Sequence, residues 1–239
     1  MTTRALGIGS LLLLVVSTYG TFFLARPDRV QGDAARIVYF HVPMAWVAFL
    51  AFFVVFIAGI AYLRTRKAIW DHVGRASAEV GVLFTTLVLV TGSIWGFPIW
   101  GTWWSWDPKL TTTLILWFLY LGYLMVRAYA EPPRGPRYAA LLGILGFADV
   151  PIVYLSSVWW RTLHPAPVIG PLAAQQPSAS IVWLLLLSLA AFTLFYAFLV
   201  AVRVRIEQVG AGLRSQGEVP SYADAPIGSP APHGGAARI

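Results

Sequence analysis

The chain has 239 residues, of which 58% are hydrophobic and only 11% are charged, against about 25% charged residues in a typical soluble domain. So few charges exclude an ordinary soluble globular domain, because they cannot cover the surface of so apolar a chain, and the composition excludes disorder over most of the length. The chain has no cysteine, which excludes a disulfide framework and a thiolate metal site. The net charge of +7 must be examined as a distribution across a membrane before it indicates a nucleic-acid partner.

Six apolar stretches predict six membrane-spanning helices, since about 20 helical residues cross the hydrocarbon core of a bilayer. They lie at 5–24, 43–63, 77–96, 110–129, 138–158 and 180–202. The first is predicted to be a retained span rather than a signal peptide, because the bulky Phe23 stands where cleavage needs a small residue. The predicted fold class is therefore an all-α integral membrane protein, a bundle of six transmembrane helices.

The distribution of basic residues predicts the orientation of this bundle. With the N-terminus inside, the inner segments carry twelve Lys and Arg residues and the outer segments carry five. Both termini are therefore predicted to be cytoplasmic (N-in, C-in), and the positive charge requires no nucleic-acid partner. One membrane domain is predicted over 1–206, followed by a disordered cytoplasmic tail over 207–239, which is rich in proline, glycine and alanine.

The loop between the third and fourth spans contains an unusual number of tryptophans. Nine of the 11 tryptophans lie in or within a turn of the predicted outer loops, and one lies in an inner loop. An interfacial aromatic belt, the alternative, should populate both faces, so the asymmetry favours an outer platform that binds a large, flat, apolar ligand. Residues 99–106 are predicted to include a short interfacial helix. The tryptophans of the loop, 95–109, are Trp95, Trp100, Trp103, Trp104 and Trp106.

Three charged residues near this platform or inside a span each have two interpretations. Asp107 before Pro108 is typical of a helix start, with the Asp side chain as N-cap; direct contact with the ligand is the alternative. Lys109 is a candidate partner for an anionic group of the ligand, or it snorkels to lipid headgroups. Asp149 lies within the fifth span, two residues before Pro151, and is either a functional carboxylate or a group that satisfies backbone freed by the proline.

Two histidines flank the tryptophan loop. His41 precedes the expected first-turn proline Pro43, and His164 follows the fifth span. A single histidine at such a position is most often solvated or hydrogen-bonded, but these two are the only histidines in the outer loops, which alternation of spans places on one face. Two neutral imidazoles can hold haem iron from opposite sides, so both are predicted to be axial haem ligands.

The segment Thr91–Thr111, TGSIWGFPIWGTWWSWDPKLT, closely resembles the WWD signature of haem-handling proteins of cytochrome c biogenesis. RIVYFHVPMAW and SSVWWRTLH resemble the two histidine loops of one such family, cytochrome c maturation protein C, which also has six spans in a short chain. The resemblance covers about residues 5–205. Lys109 stands where the family is expected to have Arg, and Pro165 stands where it is expected to have Gln.

This resemblance implies a haem-transfer protein rather than an enzyme, in the bacterial inner membrane. Haem b would be held at the periplasmic face by the tryptophans, with His41 and His164 as axial ligands, and delivered to a membrane-anchored haem chaperone, cytochrome c maturation protein E. The implied partners are the ATPase and membrane subunits of an ABC transporter (proteins A and B) and the small single-span protein D. The sequence has no Walker motif for ATP and no C-x-x-C-H for covalent haem, in accord with this division of work.

Three other functions are consistent with parts of the pattern. A b-type haem subunit of an electron-transfer complex should pair its histidines in mid-membrane, whereas these lie at helix ends. A WWD-type cytochrome c synthetase component should have more spans and a further histidine pair. The third is a small-molecule permease or a purely structural subunit; a permease should have polar or broken helices around a midplane site, for which Asp149 is the only indication.

Overall fold

The computed structural model describes residues 2–130, 134–160, 162–164 and 179–215. Within these ranges the chain is helical and contains no named strand, and six of its helical stretches are long and apolar enough to cross a membrane, as predicted. The described residues up to Val204 form one compact unit. The helices are α1 (Thr3–Tyr19, continued by a π turn at Gly20–Leu24), α2 (Val38–Thr65), α3 (Ala68–Trp100), α4 (Pro108–Tyr129), α5 (Arg134–Gly146), α6 (Asp149–Trp159) and α7 (Ala179–Ser215).

The second span begins earlier than expected. A 3₁₀ turn, Asp33–Ile37, leads directly into α2, so Pro43 is the sixth residue of the helix and the prediction that it lies in the first turn is wrong. The apolar run before the proline continues the helix toward the N-terminus, and Pro43 itself is buried inside it. As a consequence His41 lies within the first turns of α2, where the helix fixes the position of its backbone.

The predicted interfacial helix over 99–106 is also wrong. α3 continues through Pro98 to Trp100, and Gly101 ends it in the left-handed conformation, with φ 71°. The N–H of Gly101 donates to the carbonyl of Phe97 at 2.9 Å, the hydrogen bond that commonly closes a helix at glycine. Residues 101–107 are therefore an irregular loop, and the Trp-rich segment is divided between the end of α3 and this loop.

The fifth span is broken at 147–148 into α5 and α6. Asp149 is the first residue of α6, and Pro151 lies in the first turn, where a helix needs no N–H from it. The carboxylate is therefore near the positive end of a helix dipole. Its Oδ2 atom is buried without a hydrogen-bond partner in the described part of the chain.

The C-terminal helix is longer than predicted. α7 continues to Ser215, so residues 207–215, which we predicted to be part of a disordered tail, are helical. Arginine, glutamate and glutamine in this stretch favour helix, and no proline interrupts it before Pro220. The remainder of the predicted tail, 216–239, lies outside the described residues.

Close packing brings α2 and α3 together in the centre of the bundle. Phe52 of α2 is fully buried and stacks on Tyr120 of α4, with ring centroids 3.7 Å apart. Gly81 of α3 faces the same ring, since a Cβ atom there would lie 2.5 Å from Phe52 Cε1. Small residues permit such approach between membrane helices.

Ion pairs join α3 to its neighbours in the half of the helix away from residues 95–107. Asp71 lies 2.7 Å from Arg127 of α4, and Glu79 accepts a hydrogen bond of 2.9 Å from Arg203 of α7. Arg75, one turn before Glu79, pairs with it at 3.2 Å. These paired charges set the register of α3 against α4 and α7, and thereby the position of its other end.

Candidate functional site

A cavity of about 560 Å³ opens at the end of the bundle that carries residues 95–107, which we call the tryptophan end. This volume falls within the range typical of small-molecule sites, about 300–1,000 Å³. Most of its wall is apolar and comes from α2, α3, α4 and α6. Six of the residues predicted from the sequence lie in its lining: His41, Trp95, Trp100, Trp104, Lys109 and His164.

The two predicted histidines face each other in this cavity. Their ring centroids are 6.5 Å apart, and the ring planes are inclined by 34°. His41 is buried, and its Nδ1 atom lies 2.9 Å from the hydroxyl oxygen of Thr91. His164 is partly exposed and lies in the segment that follows α6. One imidazole is thus fixed within a helix, and the other is presented by a loop.

Three tryptophans form the aromatic part of the lining. Trp95 makes an edge contact with the His41 ring and donates from its indole N–H to Oε1 of Gln31 at 3.0 Å. Trp100 lies against Gly96, where a Cβ atom would be 2.8 Å from the indole. Trp104 has a buried indole N–H without a hydrogen-bond partner in the described structure. The N–H of Trp104 is therefore a buried donor that makes no hydrogen bond within the described structure.

The other two predicted tryptophans do not line the cavity. Trp103 is 57% exposed and stacks on Phe97 with ring centroids 4.3 Å apart, and Trp106 is 74% exposed. The reversal of the chain at Gly101 lays Trp103 back over the end of α3. The five tryptophans therefore form two groups. Three of them line the cavity, and the other two face outward.

Asp107 caps α4, which confirms the helix-start interpretation. Its Oδ1 atom accepts from the N–H of Leu110 at 3.0 Å. Its Oδ2 atom accepts from the hydroxyl of Thr162 at 2.8 Å, and that hydroxyl oxygen accepts from the N–H of His164 at 3.1 Å. Asp107 therefore joins the start of α4 to the segment that carries His164, and it does not itself line the cavity.

Lys109 lines the cavity. Its ammonium group donates to the carbonyl of Val153 at 3.2 Å. This position favours the interpretation in which Lys109 meets an anionic group of a ligand over the one in which it snorkels to headgroups.

Three polar residues of the site were missed by sequence reasoning. They are Gln31, Thr91 and Thr162. Each forms a hydrogen bond with a partner far away in the sequence, at separations of 64, 50 and 55 positions respectively. No spacing rule connects such pairs, and threonine is too common in these helices to single out one position. They are found only when the helices are packed.

The fold and the cavity define a polytopic membrane protein with a histidine- and tryptophan-lined binding site at one end of its bundle. A family model described as "Heme exporter protein C" matches residues 1–216. The chain belongs to this family, as the resemblance of its WWD and histidine segments predicted.

Curated relatives agree with the family model. The chain is 37% identical over 212 residues to the "Heme exporter protein C" of Bradyrhizobium diazoefficiens, an alignment that covers 88% of this chain and 80% of the relative. It is 39% identical over 204 residues to the protein of the same name from Haemophilus influenzae, with 83% and 81% covered. A protein from Marchantia polymorpha described as "Putative cytochrome c biosynthesis ccmC-like mitochondrial protein" is 37% identical over 152 residues, 64% of each chain.

Proposed function

We propose that the protein binds haem in the cavity at the tryptophan end and hands it on during cytochrome c maturation. The observation that carries the proposal is the pair of facing imidazoles, His41 and His164. Haem iron supplies two coordination positions on opposite sides of the porphyrin, and imidazole nitrogens are common ligands there.

The separation of the two rings fits such ligation. Two imidazoles that bind one metal ion from opposite sides, each with a bond of about 2 Å and a ring centre about 1.1 Å beyond the nitrogen, have centres roughly 6.2 Å apart. The observed separation is 6.5 Å. The residues present therefore fit an axially ligated haem.

The surrounding side chains fit the rest of the porphyrin. The indoles of Trp95, Trp100 and Trp104 offer apolar area and π-faces to a flat conjugated ligand. Lys109 and the unpaired N–H of Trp104 are donors suited to its carboxylates. We assign these donors to the haem propionates.

The location of the site favours transfer over electron transfer. His164 is partly exposed and comes from a loop, whereas a b-type electron-transfer haem is held deep between helices by histidines on both sides. A carrier must release its ligand, so a site at the end of the bundle with one ligand on a loop suits it. We therefore infer a handling protein, without assigning it enzymatic activity.

The finer assignments follow from the family. We propose that the tryptophan end faces the periplasm, with both termini in the cytoplasm of a cell with an inner membrane, in accord with the count of basic residues. We further propose delivery of haem to a membrane-anchored haem chaperone, in a complex with an ABC transporter and a small single-span protein. The family description, which names a haem exporter, is consistent with work beside a transporter. The outward-facing Trp103 and Trp106 are candidates for contact with one of them.

The test is the visible spectrum of the purified protein in detergent after co-expression with its proposed partners. The wild type is expected to carry low-spin, six-coordinate haem, and His41→Ala and His164→Ala are each expected to lose that signature. His72→Ala is the matched control, because His72 lies on α3 near the opposite end of the bundle. A wild type without haem contradicts the proposal; unchanged spectra in both site variants contradict the axial ligands.

A further inference from the structure

We propose that Thr91 is a positioning residue that fixes the tautomer of the neutral His41 ring, so that the hydrogen is on Nδ1 and the lone pair is on Nε2. The proposal rests on the proposed function, because that lone pair is the one offered to haem iron. Thr91 opens the segment that resembles the WWD signature, but no role follows for it from the sequence.

The argument begins with the single proton of the Thr91 hydroxyl. Oγ1 lies 2.7 Å from the carbonyl oxygen of Leu87, one turn earlier in α3, and 3.4 Å from that of Val88. A carbonyl only accepts, so the hydroxyl proton is used in this bond. The same Oγ1 lies 2.9 Å from Nδ1 of His41. With its proton committed to the carbonyl, Oγ1 acts as an acceptor toward the ring, and we assign the hydrogen of this bond to Nδ1.

The same arrangement occurs twice elsewhere in the described structure, with partners that leave no choice of direction. The hydroxyl of Thr86 donates to the carbonyl of Val82 and accepts from the indole N–H of Trp117, both at 2.8 Å. An indole nitrogen can only donate. A helical threonine bonded to its own backbone therefore acts as an acceptor for a ring N–H in this fold.

The second parallel joins α2 to α7. Thr193 donates to the carbonyl of Leu189 at 2.6 Å and accepts from the indole N–H of Trp46 at 3.0 Å. Thr91 is the third member of the set, and its ring partner is the only one of the three that can exist in two neutral tautomers.

Neighbouring residues of α3 hold the His41 ring in line with Thr91. Gly92 lies beneath the ring, where a Cβ atom would be 3.1 Å from Cε1. Trp95, one turn beyond Thr91, contacts the ring edge with centroids 5.7 Å apart. Residues 91, 92 and 95 share a face of the helix and together form a seat for the imidazole.

This arrangement determines what the ring offers to the cavity. With Nδ1 protonated, the neutral imidazole has its lone pair on Nε2, the form that binds a metal through Nε2. The opposite tautomer would place an N–H there instead. Partners that orient a metal-bound histidine in this way typically contribute about 10- to 100-fold to affinity.

The experiment compares Thr91→Val with Thr91→Ser and with Thr86→Val in the full chain. Valine has nearly the shape of threonine but no acceptor, and serine keeps one. Thr86→Val is the matched control, since it removes the same hydroxyl from the same helix at a ring that is not a histidine. We expect haem affinity to fall about 10- to 100-fold in Thr91→Val, with loss of the six-coordinate low-spin fraction, and to remain near wild type in the other two.

A second measurement needs no haem and observes the wild-type ring directly. Nitrogen-15 NMR of the ligand-free, histidine-labelled wild type reports which ring nitrogen of His41 carries the proton, with the signal assigned by its absence in His41→Ala. We expect a protonated Nδ1 and an unprotonated Nε2.

The outcomes separate this inference from the proposed function. A protonated Nε2 in the neutral wild-type ring overturns the role of Thr91, and so does a Thr91→Val protein with unchanged affinity and spectrum. A wild type that binds no haem overturns the proposed function, while the NMR tautomer still decides the hydrogen bond.

Discussion

The link from Asp107 through Thr162 to His164 gives a quantitative prediction. Asp107→Ala removes the N-cap of α4, at a cost of about 1 kcal/mol, and the bond from the Thr162 hydroxyl to a carboxylate. Hydrogen bonds to charged groups contribute about 1.5–3 kcal/mol, and partial exposure of this pair places it near the lower end. We therefore expect Asp107→Ala to lower the free energy of unfolding by about 2.5 kcal/mol.

Two further variants separate the cap from the link. Asn is as good an N-cap as Asp, so Asp107→Asn should lose only the charged part of the bond to Thr162, about 1 kcal/mol. Thr162→Val should leave the cap intact and lose about 1.5 kcal/mol. It should also lower haem occupancy, because it releases the backbone N–H of His164 from Thr162.

The assay is a double-mutant cycle of Asp107→Ala and Thr162→Val, measured by reversible denaturation in mixed micelles. Contacting residues show non-additive effects, and we expect a coupling free energy of about 1–2 kcal/mol. Additive losses would refute the link between the start of α4 and the His164 segment, even if each single variant were destabilised. Thr162→Ser, which keeps the hydroxyl, should recover most of the loss.

The remaining predictions concern the tryptophans and the helix packing. Trp104→Phe removes the buried indole N–H, and haem affinity by spectral titration should fall about tenfold. Trp103→Phe, at an outward-facing position, should change the affinity less than twofold. Equal losses in the two variants would contradict the assignment of the Trp104 N–H to the ligand. Gly81→Ala drives a methyl group into Phe52 and should lower the free energy of unfolding by about 1–2 kcal/mol, while Gly122→Ala, which meets only a 3.8 Å contact, should raise it by up to about 1 kcal/mol. Denaturation in micelles measures both, and a Gly81→Ala protein as stable as the wild type would contradict the close approach of α2 and α3.

Hydropathy was sufficient to predict the six spans, because the requirement to cross a bilayer acts on each segment independently of its neighbours. The start of α4 could also be predicted, because its cap is local in sequence: the Asp107 side chain accepts from the N–H of Leu110, three residues away. The meeting of His41 with His164 was also within reach, since alternation of spans places both on the same face. These features depend on local chemistry or on counting spans.

Features that depend on packing were not predicted. Pro43 was placed in a first turn because proline is favoured there, but the apolar residues before it extended the helix by five residues. The tryptophans were treated as one platform, yet only the turn at Gly101 decides that Trp104 faces the cavity and Trp103 does not. Nothing in the sequence distinguishes Thr91 from the other threonines, because its contact with His41 depends on the packing of α2 against α3.

The most direct test of haem ligation by His41 and His164 is pulsed EPR of the protein loaded with ferric haem and labelled with nitrogen-15 histidine. Our account predicts a low-spin iron coupled to two histidine nitrogens, with one coupling lost in His41→Ala and one in His164→Ala. Coupling to a single histidine nitrogen, or two couplings that persist in either variant, would contradict it.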